Sequence, residues 1–363
     1  MNNSKNPNRI PQPEEGDHHT VDLHDGPVGV ADRVHLMTLK EIDAVNAAVA
    51  AGRPLLVRGE PGTGKSQMAR AAATLMGRAF VKQVVDARTE PHDLMWRFDA
   101  VRRLAEAQMV GALGGLDLSD DEDDENGEDA REKETPGARR KRLREELALH
   151  RFMEPGPLWW AFDWKKARKQ CRENHFPEPQ QRDGGKWENG CVVLLDEIDK
   201  AEAEIPNGLL DALGARSFTP PGRGEAIEAN EECPPLVIIT TNDERALPAP
   251  FLRRCLVLHL ALPKEEMAMR AFLVERGRAH FKKRVSEEVL EEAAFLLWKD
   301  RQAAEEAQVE LVPGQAEYLD LLRAVITLES SEPNRMVLLE RLKPYVLGTD
   351  TTLDSSRDDE DET

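Results

Sequence analysis

Pro54-Leu-Leu-Val-Arg-Gly-Glu-Pro-Gly-Thr-Gly-Lys-Ser-Gln67 decides the reading of this 363-residue chain. Its first half, PLLVRG (54–59), is a short apolar run that reads as a buried strand. Its second half, Gly59-Glu60-Pro61-Gly62-Thr63-Gly64-Lys65-Ser66, is an intact GxxxxGK[ST]. Glycines at that spacing let a loop turn its backbone N–H groups inward and approach an anion closely. The following SQMARAAATLMG (66–77) is alanine-rich and helical, with Gly77 as its stop, so the loop opens on a helix N-terminus that favours negative charge. The pattern predicts a phosphate cradle over residues 59–67, with Lys65 reaching the β- and γ-phosphates and Ser66 ligating Mg²⁺. FVKQVV (80–85) predicts the next strand. Strand, glycine loop, helix, strand is the start of a parallel α/β sheet.

Three more apolar runs supply strands: CVVLLDEID (191–199), LVIITTND (236–243) and the shorter CLVLHL (255–260). Asp196 follows four apolar residues and so emerges at the C-terminal edge of the sheet, where open α/β sheets bind ligands. An acid there can hold the cation that Ser66 ligates. Glu197, one residue on, is placed to polarise a water for attack on the γ-phosphate, and the Asn242 amide could orient that water. A strand-end Asp-Glu pair or a strand-end Asn is ordinary alone; the glycine loop upstream is what gives each a chemical reading. Hydrolysis is favoured over phosphoryl transfer to a metabolite.

The formal charge, 49 basic against 68 acidic side chains or −19, is not spread evenly. Residues 117–134 carry a net −9 and residues 350–363 a net −6, which leaves about −4 for the rest. The acidity belongs to two solvated tracts, and a strongly basic nucleic-acid binder is disfavoured. The four cysteines show no CxxC or Cys/His ligand spacing, which speaks against zinc or a disulfide framework. Without a secretory apolar segment or a membrane-length apolar run, the expectation is a cytoplasmic protein with no membrane contact.

Residues 1–30, rich in Pro, Asn, Gly and charge, are expected to be a disordered tail, and 349–363 an acidic one. LKEIDAVNAAVAAG (39–52) has helical apolar spacing with Gly52 as a stop. The α/β core spans 31–262, interrupted by an insertion over 97–190. That insertion contains a helix near 98–110, an acidic linker at 117–137, a basic helix at 138–152, a Trp-rich turn and a polar loop at 165–190. Because adjacent tryptophans point to different sides of a regular element, Trp159, Trp160, Phe162 and Trp164 are not all expected in the core. They would pin the insertion to the sheet or present a patch to a partner. From 263 to 348 the pattern is helical only, with Ser286 as an N-cap.

In this order the motifs resemble those of the AAA+ ATPases, and within them the MoxR-like branch, over about residues 31–348. GEPGTGKS is similar to Walker A, VVLLDEID to Walker B, and Asn242 to sensor 1. EPGPLWWAF (154–162) and DEIDKAEAEIPNGLLDALGARSFT resemble segments of that branch. PAPFLRRC (248–255) lies where the family carries its arginine finger, which implies Arg254 in that role, or Arg253; the following Cys255 departs from the family's usual Phe. Glu332-Pro-Asn-Arg335 looks like sensor 2, with Arg335 reaching the γ-phosphate of its own chain. The resemblance implies an α/β P-loop core with an α-helical lid, ATP and Mg²⁺ as cofactors, and a homo-oligomeric ring, usually a hexamer. It also implies remodelling of a client protein, commonly with a von Willebrand factor A domain partner. A DNA-acting motor or loader, or a scaffold that binds nucleotide and turns it over slowly, are the alternatives.

Overall fold

The computed structural model describes residues 7–14, 16–24, 33–116, 136–202, 204–309 and 312–347. The acidic stretch 117–134 and the tail 349–363 lie outside them. Strands β1 (His18–Leu23) and β2 (Arg33–Thr38) form an antiparallel pair. Helix α1 (Leu39–Ala51) starts on a Thr38–Glu41 capping box and ends at a left-handed Gly52, both signals being local. The glycine loop then joins β3 (Leu55–Arg58) to α2 (Lys65–Met76), and β4 (Arg78–Val84) follows.

The insertion holds β5 (Trp96–Phe98), α3 (Ala100–Leu116), α4 (Pro136–Glu146), β6 (Met153–Pro155), α5 (Pro157–Phe162) and α6 (Trp164–Asn174). The core resumes with β7 (Lys186–Asp196), α7 (Glu204–Ala215), the short pair β8 (Ser217–Phe218) and β9 (Ile227–Glu228), and β10 (Leu236–Thr241). Helix α8 (Ala249–Arg254) and β11 (Leu256–His259) close it. Four helices complete the described chain: α9 (Glu266–Phe281), α10 (Glu287–Glu306), α11 (Gln315–Leu328) and α12 (Glu332–Val346).

The main sheet is parallel, in the order β11-β3-β10-β7-β4. Parallel strands covered on both faces need apolar residues at successive positions, and here the two faces divide them by parity. Leu56, Val193, Leu195, Val237 and Ile239 join one core with Trp159 and Leu209; Leu55, Val57, Val192, Leu194 and Ile238 join another with Ile42 and Met68. The last four helices have a core of their own, around Leu273, Leu297, Tyr318 and Leu322. The α/β core with a helical subdomain is therefore the architecture observed. Among the described residues no helix is long and apolar enough to cross a membrane.

Three expectations change. The N-terminal segment is not a disordered tail over its described part: Ile10, Val21 and Leu23 are buried in the α1–α2 side of the core. The buried Arg78 guanidinium also draws this segment in, donating to the Pro7 carbonyl and to Asn8 Oδ1 (2.9 Å). A buried cation needs acceptors, and the polar N-terminal backbone supplies them. The polar loop of 165–190 is in its first third the helix α6, N-capped by Asp163. Trp159, Trp160, Phe162 and Trp164 are all buried: α5 is enclosed on every side rather than lying on a surface, and Trp164, the first residue of α6, packs edge-on against Trp160.

Candidate active site

The C-terminal edge of the sheet collects the site. Strand register does most of the placing. Ile239 pairs with Leu195, so Thr240 and Asp196 stand side by side one residue further on, with Val84 of β4 opposite Asp196. Thr241 pairs with Arg58, the last residue before the glycine loop, which brings that loop beside Asn242. A cleft of about 330 Å³ opens there, lined by Pro61–Gln67, Asp196, Glu197, Thr240 and Asn242 from the core and by Gln315, Ala316 and Leu319 from α11.

The loop's glycines are required by geometry. Gly64 has φ 88°, and a Cβ on Gly59 would lie 2.2 Å from the Leu260 carbonyl oxygen. Lys65 is buried and donates to the carbonyls of Gly59 (2.6 Å) and Glu60 (2.8 Å) and to Asn242 Oδ1 (2.7 Å). Burial pulls its ammonium below the ordinary lysine range, against the opposing pull of Asp196, Asp199, Asp243 and Glu197. Ser66 Oγ donates to both Asp196 oxygens, at 2.8 and 2.9 Å. Asp196 also accepts from Thr240 Oγ1 (2.6 Å) and pairs with Lys82 Nζ (2.6 Å). Burial alone would raise its carboxyl; the bonds from Lys82, Thr240 and Ser66 outweigh that and hold it below the usual range.

These groups fit a hard divalent cation. A carboxylate and a hydroxyl converge from separate segments, and the Lys82 ammonium already places positive charge against the carboxylate. Ser66 and Asp196 would hold Mg²⁺ with oxygens of the bound phosphates. Among the described residues no cluster of three or more His, Cys, Asp or Glu forms a separate metal cage.

Glu197 adopts φ 63°, a left-handed conformation that a non-glycine residue takes at some cost. Its N–H is held by Thr240 Oγ1 (2.9 Å), and its carboxylate pairs with Lys200 Nζ at 2.9 Å. Asp199 Oδ2 accepts from the N–H groups of Asn242 (3.0 Å) and Glu244 (3.1 Å), fixing the turn that presents the Asn242 amide. Among the described residues Gln67 Oε1 is buried without a partner.

Arg253 and Arg254 lie at the end of α8 with exposed side chains that make no hydrogen bond or ion pair among the described residues. Arg53 holds this end of the helix by donating to the Arg254 (3.1 Å) and Cys255 (3.0 Å) carbonyls. Cys255 is buried in the core and its thiol is pushed up to about 11 by burial. Neither arginine lines its own chain's cleft.

Arg335 does not reach the cleft. Its guanidinium donates to the carbonyls of Glu329 and Arg284 (both 2.8 Å) and pairs with Glu332, so it braces the start of α12. The lid helix that faces the glycine loop is α11, and Gln315 stands where it enters the cleft. Sequence reading missed Thr240, Lys82, Asp199 and Gln315, and also Arg33, which lines the cleft. The only signals were a Thr-Thr-Asn ending an apolar run, a lysine interrupting FVKQVV, and a residue just after Pro313-Gly314.

Residues 54–116 and 138–255 match the family described as AAA domain, dynein-related subfamily, and the match skips residues 117–137. No curated protein sequence matches the chain. A solved structure of a presumed ATPase from Cytophaga hutchinsonii aligns at 14% identity over 85% of this chain and 79% of that one. Its TM-score of 0.33 is too low for the likeness to bear on the fold or the chemistry. Carried by the strand–glycine loop–helix at 54–76 and by Asp196 at the sheet edge, the core of this chain is an AAA domain of the dynein-related type.

Proposed function

We propose that this chain is a Mg²⁺-dependent ATP hydrolase of the MoxR-like kind, working as a homo-oligomeric ring that remodels a partner protein. The observation that carries the ATPase reading is the convergence of Ser66 on Asp196 at 2.8 Å and of Lys65 on Asn242 at 2.7 Å, across sequence separations of 130 and 177 residues. Lys65, released from the Gly59 and Glu60 carbonyls, would neutralise the β- and γ-phosphates. Mg²⁺ held by Ser66 and Asp196 would supply charge stabilisation to the phosphates. Glu197 accepts the proton of the attacking water, and Asn242 orients it. The Arg254 side chain, exposed and without a partner in its own chain among the described residues, suits a charge delivered to a neighbour's site.

Ring formation and the client protein rest on the motif resemblance alone. The test of the enzymatic reading compares three proteins. Wild type should hydrolyse ATP only with Mg²⁺, Lys65→Ala should lose nucleotide binding, and Glu197→Gln should bind ATP while losing turnover. Unchanged ATP affinity in Lys65→Ala by calorimetry would sink the site.

A further inference from the structure

Arg301, near the end of α10, reaches across to the glycine loop. Its Nη1 lies 2.9 Å from Glu60 Oε2 and its Nη2 donates to Glu60 Oε1 at 2.9 Å, a two-pronged fork. The rest of the guanidinium is engaged on the lid side, with Nε on Glu305 (2.9 Å) and Nη1 on the Pro313 carbonyl (3.2 Å). The arginine side chain is only 10% exposed, whereas that of Glu60 is 51% exposed. The cation is thus a fixed part of the lid and the carboxylate is the part that can let go.

Glu60 is also tied to the centre of the site. Its carbonyl accepts from Lys65 Nζ (2.8 Å) and from Thr63 Oγ1 (2.8 Å). One residue therefore joins the lid, through its side chain, to the phosphate-facing lysine, through its main chain. A second contact lies beside it, where a Cβ on Gly62 would be 2.9 Å from Ala316 Cβ of α11. The cleft runs between the loop and the start of α11, so these two contacts hold together the surfaces that border it.

We infer that the Glu60–Arg301 fork is a latch that sets how fast nucleotide leaves the cleft, with Arg301 acting as a positioning residue through Glu60. The inference rests on the reading of this cleft as a nucleotide site. Opening the lid must break a charge-assisted fork, and this adds to the barrier for release but not to the encounter with an open cleft. Solvent at the exposed Glu60 carboxylate limits the effect. The expected size is about five- to tenfold in the release rate.

The experiment uses the full chain loaded with N-methylanthraniloyl-ADP and chased with unlabelled ADP in a stopped-flow fluorimeter. Glu60→Gln keeps the side chain's size at a half-exposed position, so folding is not at stake. It should release the probe about five- to tenfold faster, with the association rate within about twofold of wild type. Arg301→Met, which also gives up the Glu305 and Pro313 contacts, should release the probe at least as fast, and the double variant should be no faster than Arg301→Met, because the fork is then already gone. Wild-type release should quicken with added salt and that of Glu60→Gln should not. Tight wild-type binding with an unaltered release rate in Glu60→Gln, or additive effects in the double variant, overturns the latch and leaves the site reading intact. A wild-type chain that does not bind the probe overturns both.

Discussion

Replacing Thr240 with valine keeps the shape of a fully buried side chain and removes its hydroxyl. That hydroxyl makes two bonds, accepting the Glu197 N–H at 2.9 Å and donating to Asp196 Oδ1 at 2.6 Å. The first is a neutral bond and the second reaches an ionised carboxylate, so together they contribute about 2–4 kcal/mol. The new methyl group returns about 1 kcal/mol. A net loss of about 1–3 kcal/mol should lower the melting temperature by about 2–12 °C in scanning calorimetry near neutral pH. The pH dependence has a definite sign. The Asp196 carboxyl is held below its usual range in the folded state, so its stabilisation is present above the ordinary aspartate value and is lost as pH falls through the lowered one. The gap between variant and wild type should therefore narrow below about pH 4. Freed of its backbone tether, Glu197 no longer has its left-handed turn fixed, and ATP turnover should fall by about tenfold with little change in ATP affinity. A melting temperature within about 1 °C of wild type at pH 7.5, or unchanged turnover, refutes the reasoning.

Arg254→Ala and Glu197→Gln should each be inactive alone, yet regain ATP turnover when mixed, because some interfaces then pair an intact Glu197 with an intact Arg254; no recovery despite subunit exchange speaks against a finger in trans. Lys200→Met should raise basal turnover by up to about fivefold by releasing Glu197 from an exposed ion pair, with Lys200→Arg restoring the wild-type rate. Burial, with smaller contributions from Arg323 and His35, pushes the His280 imidazole down to about 4. The folded chain then stays unprotonated while the unfolded one takes up a proton, so stability falls from pH 6.5 towards 4 by at most about 1.4 kcal/mol per pH unit. His280→Gln should flatten that fall in urea midpoints measured at pH 7.5 and 5. Trp159→Ala, which empties the largest fully buried side chain, should cost about 3–5 kcal/mol in the same unfolding assay.

What the sequence determined by itself was local or periodic. The glycine loop, the caps at Gly52, Gly77 and Ser286, and the apolar strands at 55–58, 191–196 and 236–241 are each set by residues within one turn or one strand of each other. Lys65, Ser66, Asp196 and Asn242 were legible because each sits at the end of such an element, and the structure brings all four together. The tertiary structure decided the rest. Thr240 and Lys82 become site residues only through register against β7, and no property of either residue announces that pairing. The burial of α5 on all sides could not be read from adjacent tryptophans, since a helix pattern shows faces but not how many of them are covered. The N-terminal segment looked unable to pack, yet Ile10, Val21 and Leu23 need only a groove that α1 and α2 provide. Arg335 and Gln315 make the same point from opposite sides. Which lid helix turns its first residues towards the loop depends on how the four helices pack on one another, and that is set by contacts far apart in the chain.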